Sequence, residues 1–132
     1  MEPVRLIVVG LGSFGPGWAR LVHATPEVEL AAVVEPMDER RNTVAAELGL
    51  APDQAQRDLA TALLEVDADA VIVVTPPQTH LDVARVAIEQ GKPVLVEKPL
   101  AATMDDARAI VALAEEAGCC WSSARTIATG HR

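Results

Sequence analysis

A glycine-rich hexapeptide, Gly10-Leu11-Gly12-Ser13-Phe14-Gly15, follows the apolar run Leu6–Val9. Such a run predicts a strand covered on both faces of a parallel sheet. In a strand–turn–helix unit, Gly10 permits the tight turn, Gly12 lets a pyrophosphate approach the backbone, and Gly15 lets the helix pack on the strand. The helix aims its N–H groups at that phosphate. The hexapeptide therefore predicts a dinucleotide site, with a purely structural glycine turn as the alternative.

Strand and helix patterns alternate along the rest of the chain. Further strands are predicted at 30–34, 70–74 and 93–96, with a short edge strand near 54–57, and helices at 14–23, 38–48, 59–64, 80–90 and 103–117. This alternation indicates an α/β fold with a doubly wound parallel sheet. The chain has 132 residues, which is enough for one domain with one core.

Glu35 stands at the end of the predicted second strand. A carboxylate there can accept hydrogen bonds from both hydroxyls of an adenosine ribose and repels a 2′-phosphate, which favours NAD over NADP. Arg40 and Arg41 keep NADP possible, because an arginine nearby can bind that phosphate. The alternatives are a surface-loop acid for Glu35 and a solvated helix face for the arginines.

Two later strands also end in residues suited to a binding cleft. Ligands of doubly wound sheets bind at the carboxyl ends of the strands, so we expect Thr75-Pro76-Pro77 to line the nicotinamide pocket. His80 follows this loop, and we expect it to contact the cofactor; the alternative is a capping or packing histidine.

The segment Glu97-Lys98-Pro99 ends the last predicted strand before the final helix. We expect Lys98 to project into the cleft as a cation that orients a substrate hydroxyl or shares in proton transfer. Glu97 can hold Lys98 or contact the cofactor. The alternative is a surface ion pair before a turn.

Composition and charge argue against several classes of partner. The formal net charge of −8 disfavours nucleic acid and anionic membranes. No apolar run approaches the roughly 20 residues needed to span a bilayer, and no signal-like segment begins the chain, so we expect a cytoplasmic protein. Cys119 and Cys120 are adjacent, which disfavours a disulfide between them, and two ligands do not make a zinc site. We expect plain thiols and no metal.

Taken together, these segments resemble the N-terminal domain of the Gfo/Idh/MocA family of glucose–fructose oxidoreductases and inositol dehydrogenases. The matching segments are the glycine turn, Glu35-Pro36, Val74–Pro77 with His80, and Gly91–Leu100. The resemblance implies a Rossmann domain that binds NAD or NADP and hydride transfer on a sugar or polyol. In the family, the lysine that matches Lys98 lies beside the nicotinamide and takes part in catalysis. The peptide bond before Pro99 is expected to be cis.

Family members also carry a second α/β domain that supplies most of the substrate site, and nothing in this chain matches it. We expect residues 1–118 to form the NAD(P)-binding domain, with a sugar or polyol bound only if a second domain is supplied. The alternative is a nucleotide-binding module, or a truncated fragment without catalysis of its own.

Residues 119–132 depart from the family, which has another apolar strand and an Arg-Tyr/Phe-x-Pro segment there. Read from the third base of the Gly118 codon, with G or C at most open positions, the back-translated tail gives LLLVVGPDHRYRPS. This family-like string suggests the hypothesis that the tail is read out of frame. We expect the tail to supply no sixth strand, which leaves a sheet edge unpaired and favours self-association.

Overall fold

Six parallel strands form one sheet in the computed structural model, which describes residues 2–118 and 121–123. The strands are β1 (Val4–Val9), β2 (Val28–Val34), β3 (Ala55–Gln56), β4 (Ala70–Val73), β5 (Val94–Val96) and β6 (Trp121–Ser123). The helices are α1 (Gly15–Ala24), α2 (Asp38–Leu48), α3 (Leu59–Glu65), α4 (His80–Glu89) and α5 (Met104–Ala117). The alternating α/β pattern predicted from the sequence is thus confirmed.

The strand order is β3-β2-β1-β4-β5-β6, and every neighbouring pair is parallel. The chain first builds outward from β1 through β2 to β3, and then crosses back to place β4 on the other side of β1. The direction of winding therefore reverses between β1 and β4. In doubly wound sheets, ligands bind in the crevice that this reversal opens at the carboxyl ends of the strands.

The sheet is buried because helices cover both of its faces. Alternate residues of a strand point to opposite faces: Val8 packs with Ala19 and Val22 of α1 and Val44 of α2 on one face. On the other face, Ile7 and Val9 belong to a core that also contains residues of the three remaining helices: Leu59, Ala62, Ala84, Ala87, Ile88, Ile110 and Ala114. These side chains are small or aliphatic, so the helices lie close to the sheet and fix where each strand ends.

The last strand corrects one expectation. Residues Trp121–Ser123 pair in parallel with Val94–Val96, so the prediction that the tail supplies no sixth strand is wrong. The segment lacks apolar alternation, but a sheet ladder is made by backbone N–H and C=O groups, which serine provides as well as valine. The edge of β5 is paired, which removes that argument for self-association. The rest of the tail, 119–120 and 124–132, lies outside the described residues, and the out-of-frame hypothesis stays a prediction.

None of the helices in the described ranges has the length and apolar character that crossing a bilayer requires.

Candidate functional site

A cleft of about 980 Å³ runs across the carboxyl ends of β1, β2, β4 and β5. Its volume is of the size expected for cofactor sites. The structure brings nearly all of the predicted site residues into its lining: Gly10, Gly12, Ser13, Phe14, Glu35, Arg40, Thr75, Pro76, Glu97 and Lys98. Gly15 and His80, which were also predicted to bind the cofactor, do not line this cleft.

Gly10 and Gly15 shape the turn between β1 and α1. Gly10 has a φ of +102°, and a Cβ atom on it would lie 2.8 Å from the carbonyl carbon of Val74. A Cβ atom on Gly15 would lie 1.8 Å from the carbonyl oxygen of Gly10. Both positions therefore exclude every side chain. The prediction that Gly15 serves close packing holds, and its absence from the cleft lining follows from that packing.

The space above Gly12 is open on the cleft side. A Cβ atom there would meet only Arg40 Nη1, at 3.5 Å. Within the described part of the chain, the N–H groups of Gly12 and Ser13 make no hydrogen bond. Helix α1 has no side-chain cap and no acid in its first turn. Free N–H groups at a helix N-terminus form an anion site, so the turn suits a diphosphate.

The Glu35 carboxylate holds the backbone of the glycine turn by a hydrogen bond. Its side chain is only 4% exposed. One carboxylate oxygen accepts a hydrogen bond from Leu11 N at 2.8 Å, and the other accepts one from Met37 N at 2.9 Å. The sequence placed Glu35 correctly at the end of β2, but it did not show that backbone amides occupy both oxygens. The carboxylate still lines the cleft, and each oxygen has a second lone pair for a ribose hydroxyl.

The two adjacent arginines of α2 have different positions. Arg41 is 8% exposed, and its guanidinium donates to Glu35 O at 2.8 Å, so it holds the end of β2. Arg40 lies beside Gly12, with Nη1 3.5 Å from where a Cβ atom on that glycine would stand, and has no ion-pair partner among the described residues. Arg57, which sequence analysis missed, also lines the cleft and pairs with Asp38 at 3.2 Å. The adenosine end of the cleft therefore holds cationic groups next to Glu35.

Asp38 lies between two of these arginines. A hydrogen bond from the Arg41 guanidinium, together with the charge of Arg57, holds the pKa of the Asp38 carboxyl below its usual value. Asp38 is therefore ionised at neutral pH. Asp38 pairs with Arg41 and Arg57, and Arg40 forms no ion pair with any of the described carboxylates.

Thr75 closes the cleft beside the glycine turn. Its hydroxyl is buried and has no hydrogen-bond partner among the described residues. A buried polar atom without a partner costs free energy, so this hydroxyl is available for a further hydrogen bond at the wall of the cleft. The backbone of Thr75 lies against Gly10, where an added Cβ atom would stand 2.9 Å from Thr75 N. Thr75 is thus fixed at the crevice between β1 and β4.

The structure corrects the prediction for His80. Its side chain is 1% exposed, and its two ring nitrogens lie 2.7 Å from Thr75 O and 2.9 Å from Leu100 O. A residue with both nitrogens engaged and no access to the cleft does not touch a cofactor bound there. The alternative of a packing histidine is the one that its position supports, because α4 begins at His80 and turns the ring under the loop.

Glu97 and Lys98 end β5 at the far side of the cleft. Glu97 accepts a hydrogen bond from Trp18 Nε1 at 3.0 Å and one from Lys98 N at 3.0 Å. The Lys98–Pro99 peptide bond is cis, as expected. Lys98 is exposed and lines the cleft, and its ammonium has no ion-pair partner among the described residues. The Trp18 contact could not be predicted from the sequence, because α1 and β5 are far apart in the chain.

These features fit a nicotinamide dinucleotide. The backbone amides of the glycine turn can bind a diphosphate, and Glu35 and Arg40 can contact the adenosine end. The Thr75 hydroxyl and the Lys98 ammonium line the rest of the cleft, where the nicotinamide would lie. In the described ranges, no group of three or more His, Cys, Asp or Glu side chains is arranged to hold a metal ion.

Comparisons with known proteins agree with this geometry. The family model described as "Oxidoreductase family, NAD-binding Rossmann fold" matches residues 4–124. A scyllo-inositol 2-dehydrogenase (NAD(+)) from Bacillus subtilis is 38% identical over 116 residues, which cover 87% of this chain and 33% of that protein.

Solved structures show the same fold. A scyllo-inositol dehydrogenase from Lactobacillus casei, with bound NAD(H) and scyllo-inositol, superposes with a TM-score of 0.86 over 97% of this chain and 38% of that one, at 21% identity. A mutant 3-ketoreductase from Actinomadura kijaniata, in complex with TDP-benzene and NADP, superposes with a TM-score of 0.74 at 29% identity, over 89% of this chain and 37% of that one.

The chain spans about a third of the length of the curated relatives it matches. The family model, by contrast, matches the chain from β1 through β6. The sheet order, the glycine turn and the strand-end residues are those of an NAD-binding Rossmann domain. The chain therefore belongs to the Gfo/Idh/MocA family of oxidoreductases.

Proposed function

We propose that this chain is the cofactor-binding part of an NAD(P)-dependent oxidoreductase that moves hydride to or from a sugar- or polyol-type carbon. The observation that carries the proposal is that Lys98 and the glycine turn line one cleft. Bound NAD(P) supplies the hydride acceptor or donor. The chain's own residues bind and orient it, and Lys98 provides an ammonium beside the reacting hydroxyl.

In this proposal, different residues of the cleft bind the diphosphate and the nicotinamide end of the cofactor. The free N–H groups of Gly12 and Ser13, at the start of α1, bind the diphosphate. The Thr75 hydroxyl hydrogen-bonds the nicotinamide end, which satisfies its unpartnered oxygen. Pro76 stiffens the loop that follows, so this wall of the cleft keeps its shape.

For the adenosine end we propose NAD as the preferred cofactor, with NADP accepted. Glu35 carries the negative charge that disfavours a 2′-phosphate. Its carboxylate is buried and holds two backbone amides, so part of that charge is already compensated. Arg40 also lines the cleft, with no carboxylate partner in the described residues, and it would attract the phosphate.

The substrate class rests on relatives that are inositol dehydrogenases by name. The residues that select a substrate are expected in a second domain, so turnover requires that domain. The alternative is a nucleotide-binding module without catalysis. A cytoplasmic location, self-association, and the lack of nucleic-acid or membrane partners stay predictions.

A titration with NADH, followed by turnover assays with NAD⁺ and NADP⁺ on a panel of inositols and sugars, tests the proposal. Binding to the chain alone, with turnover only when a family second domain is fused after residue 123, supports the oxidoreductase. Binding without turnover in the fused protein selects the binding module. No binding of either dinucleotide by the folded chain contradicts both.

A further inference from the structure

The turn that carries Lys98 is anchored at both ends by side chains from other parts of the fold. We refer to residues 97–100 as the lysine turn. At its start, Trp18 Nε1 donates to Glu97 Oε2 at 3.0 Å. At its end, His80 Nδ1 lies 2.9 Å from Leu100 O. The Lys98 side chain makes no hydrogen bond or ion pair within the described residues, so the fold controls the ammonium only through the position of the Lys98 backbone.

The His80 anchor joins two loops of the cleft. Its Nε2 lies 2.7 Å from Thr75 O, so one buried ring links the loop after β4 to the loop after β5. The side chain is 1% exposed, and both of its partners are carbonyl oxygens, so a neutral ring donates to one of them and only a ring with both nitrogens protonated donates to both. Thr75 has the unpartnered hydroxyl and Lys98 the unpaired ammonium, and His80 sets the distance between their loops.

The Trp18 anchor joins the lysine turn to the glycine turn. Trp18 lies on α1, the helix that begins at the glycine turn, and its indole is partly buried against the core on that face. Its hydrogen bond orients the Glu97 carboxylate, whose other oxygen accepts from Lys98 N at 3.0 Å. The two turns that face each other across the cleft are therefore connected through one indole and one carboxylate.

We propose that His80 and Trp18 are positioning residues, which hold the lysine turn so that the Lys98 ammonium stands beside the bound dinucleotide. The proposal rests on the proposed function, since it assumes that the dinucleotide occupies the cleft. Neither residue touches the cofactor. Each acts on Lys98 through the backbone or through Glu97.

Amine labelling tests this directly, because Lys92 and Lys98 are the only two lysines of the chain. The chain is acetylated with a small reagent, with and without NADH, and each lysine is quantified by mass spectrometry. At NADH ten times above Kd, a group covered by the ligand is protected about tenfold. We expect this protection at Lys98 and none at Lys92, which lies before β5 and outside the cleft lining.

Two substitutions distinguish the His80 contact with Leu100 O from the contact with Thr75 O. Asparagine carries its amide nitrogen at the distance of Nδ1, so His80→Asn keeps the donor to Leu100 O. Glutamine carries it at the distance of Nε2, so His80→Gln keeps only the donor to Thr75 O. We expect protection of Lys98 to stay near tenfold in H80N and to fall below about twofold in H80Q, each measured at NADH ten times above that variant's own Kd.

Trp18→Phe provides an independent test if H80Q does not fold. It removes the indole donor but keeps an aromatic side chain in the core, and we expect the same loss of Lys98 protection. If Lys98 were protected in both H80Q and W18F as strongly as in the wild-type chain, the proposal would be wrong. It would also be wrong if H80N and H80Q lost the same amount of melting temperature while Lys98 protection did not change. Failure of the wild-type chain to bind NADH would instead refute the proposed function.

Discussion

Gly10 lies so close to the end of β4 that a Cβ atom on it would stand 2.8 Å from the carbonyl carbon of Val74. This contact brings the glycine turn against the Thr75 loop at the crevice between β1 and β4. Gly15 then packs on Gly10 itself, with a would-be Cβ atom 1.8 Å from its carbonyl oxygen. Gly10 and Gly15 are thus required for packing, whereas Gly12 is available to contact the ligand.

Alanine substitutions at these glycines should separate the two roles. We expect Gly10→Ala and Gly15→Ala to destabilise the domain by about 3 kcal/mol or more, because backbone atoms occupy the space and cannot move aside. Gly12→Ala should leave the free energy of unfolding within about 1 kcal/mol of wild type, since its added methyl meets only the end of Arg40. Urea unfolding followed by circular dichroism measures all three.

Gly17 supplies the control for those substitutions. It lies inside α1, and a Cβ atom there would have nothing within 4 Å. Gly17→Ala should therefore stabilise the domain by about 0.5–1 kcal/mol, through the better helix propensity of alanine. If G17A and G15A changed stability alike, the packing argument for Gly15 would be wrong.

Much of the fold and of the cleft could be predicted from sequence because local patterns determine them. Apolar β-branched runs such as Leu6–Val9 mark buried strands, and in a parallel sheet the residues that follow such strands meet at one edge. The contacts missed were those between distant segments, such as Trp18 with Glu97. The direction of a side chain at an edge was missed for the same reason. His80 has the same local sequence whether it points into the cleft or under the loop.

The sixth strand shows a second reason why a sequence pattern can fail to predict structure. Ser122 and Ser123 carry no apolar alternation, so the sequence pattern argued against a strand at that position. Their pairing with Leu95 and Val96 depends on the exposed ladder of β5, which is a property of the assembled sheet. A pattern read over a short window does not include that contribution.

Glu35 should be needed for stability as well as for cofactor choice. Glu35→Gln keeps the shape but replaces one acceptor with an amide nitrogen, which leaves Leu11 N or Met37 N without a partner. We expect a loss of about 1–3 kcal/mol in the free energy of unfolding. Glu47→Gln, in an exposed pair with Arg20, should cost clearly less, because solvent screens that pair. Equal losses of unfolding free energy in the two variants would contradict the role of Glu35 in holding these two backbone amides.

Arg40 should affect the two cofactors unequally. We expect Arg40→Ala to weaken NADPH binding about tenfold and NADH binding by less, because a charge-assisted hydrogen bond to the 2′-phosphate is lost. Fluorescence titrations with both cofactors measure the ratio, with Arg108→Ala on α5 as the control, since Arg108 lies outside the cleft. An equal loss for NADH and NADPH would place the guanidinium at the diphosphate instead.

Asp38 should contribute a stability that acid removes. Because Arg41 and Arg57 hold the pKa of the folded-state carboxyl below its ordinary value, the unfolded state binds more protons between the two pKa values. The contribution is present above the unfolded pKa and is lost as the pH falls through the lowered one. We expect the melting temperature of Asp38→Asn to fall less steeply with acid than that of wild type. Parallel curves down to about pH 2 would contradict this.

The central claim is that a dinucleotide binds across the glycine turn, with its diphosphate on the amides that open α1. A fluorescence titration of NADH into the folded chain, compared with Gly12→Ala at equal stability, tests it most directly. We expect saturable binding to wild type and a loss of at least about tenfold in affinity for G12A, equivalent to about 1.4 kcal/mol. Equal affinity of the two folded proteins for NADH, or no binding to the wild-type chain, would contradict the claim.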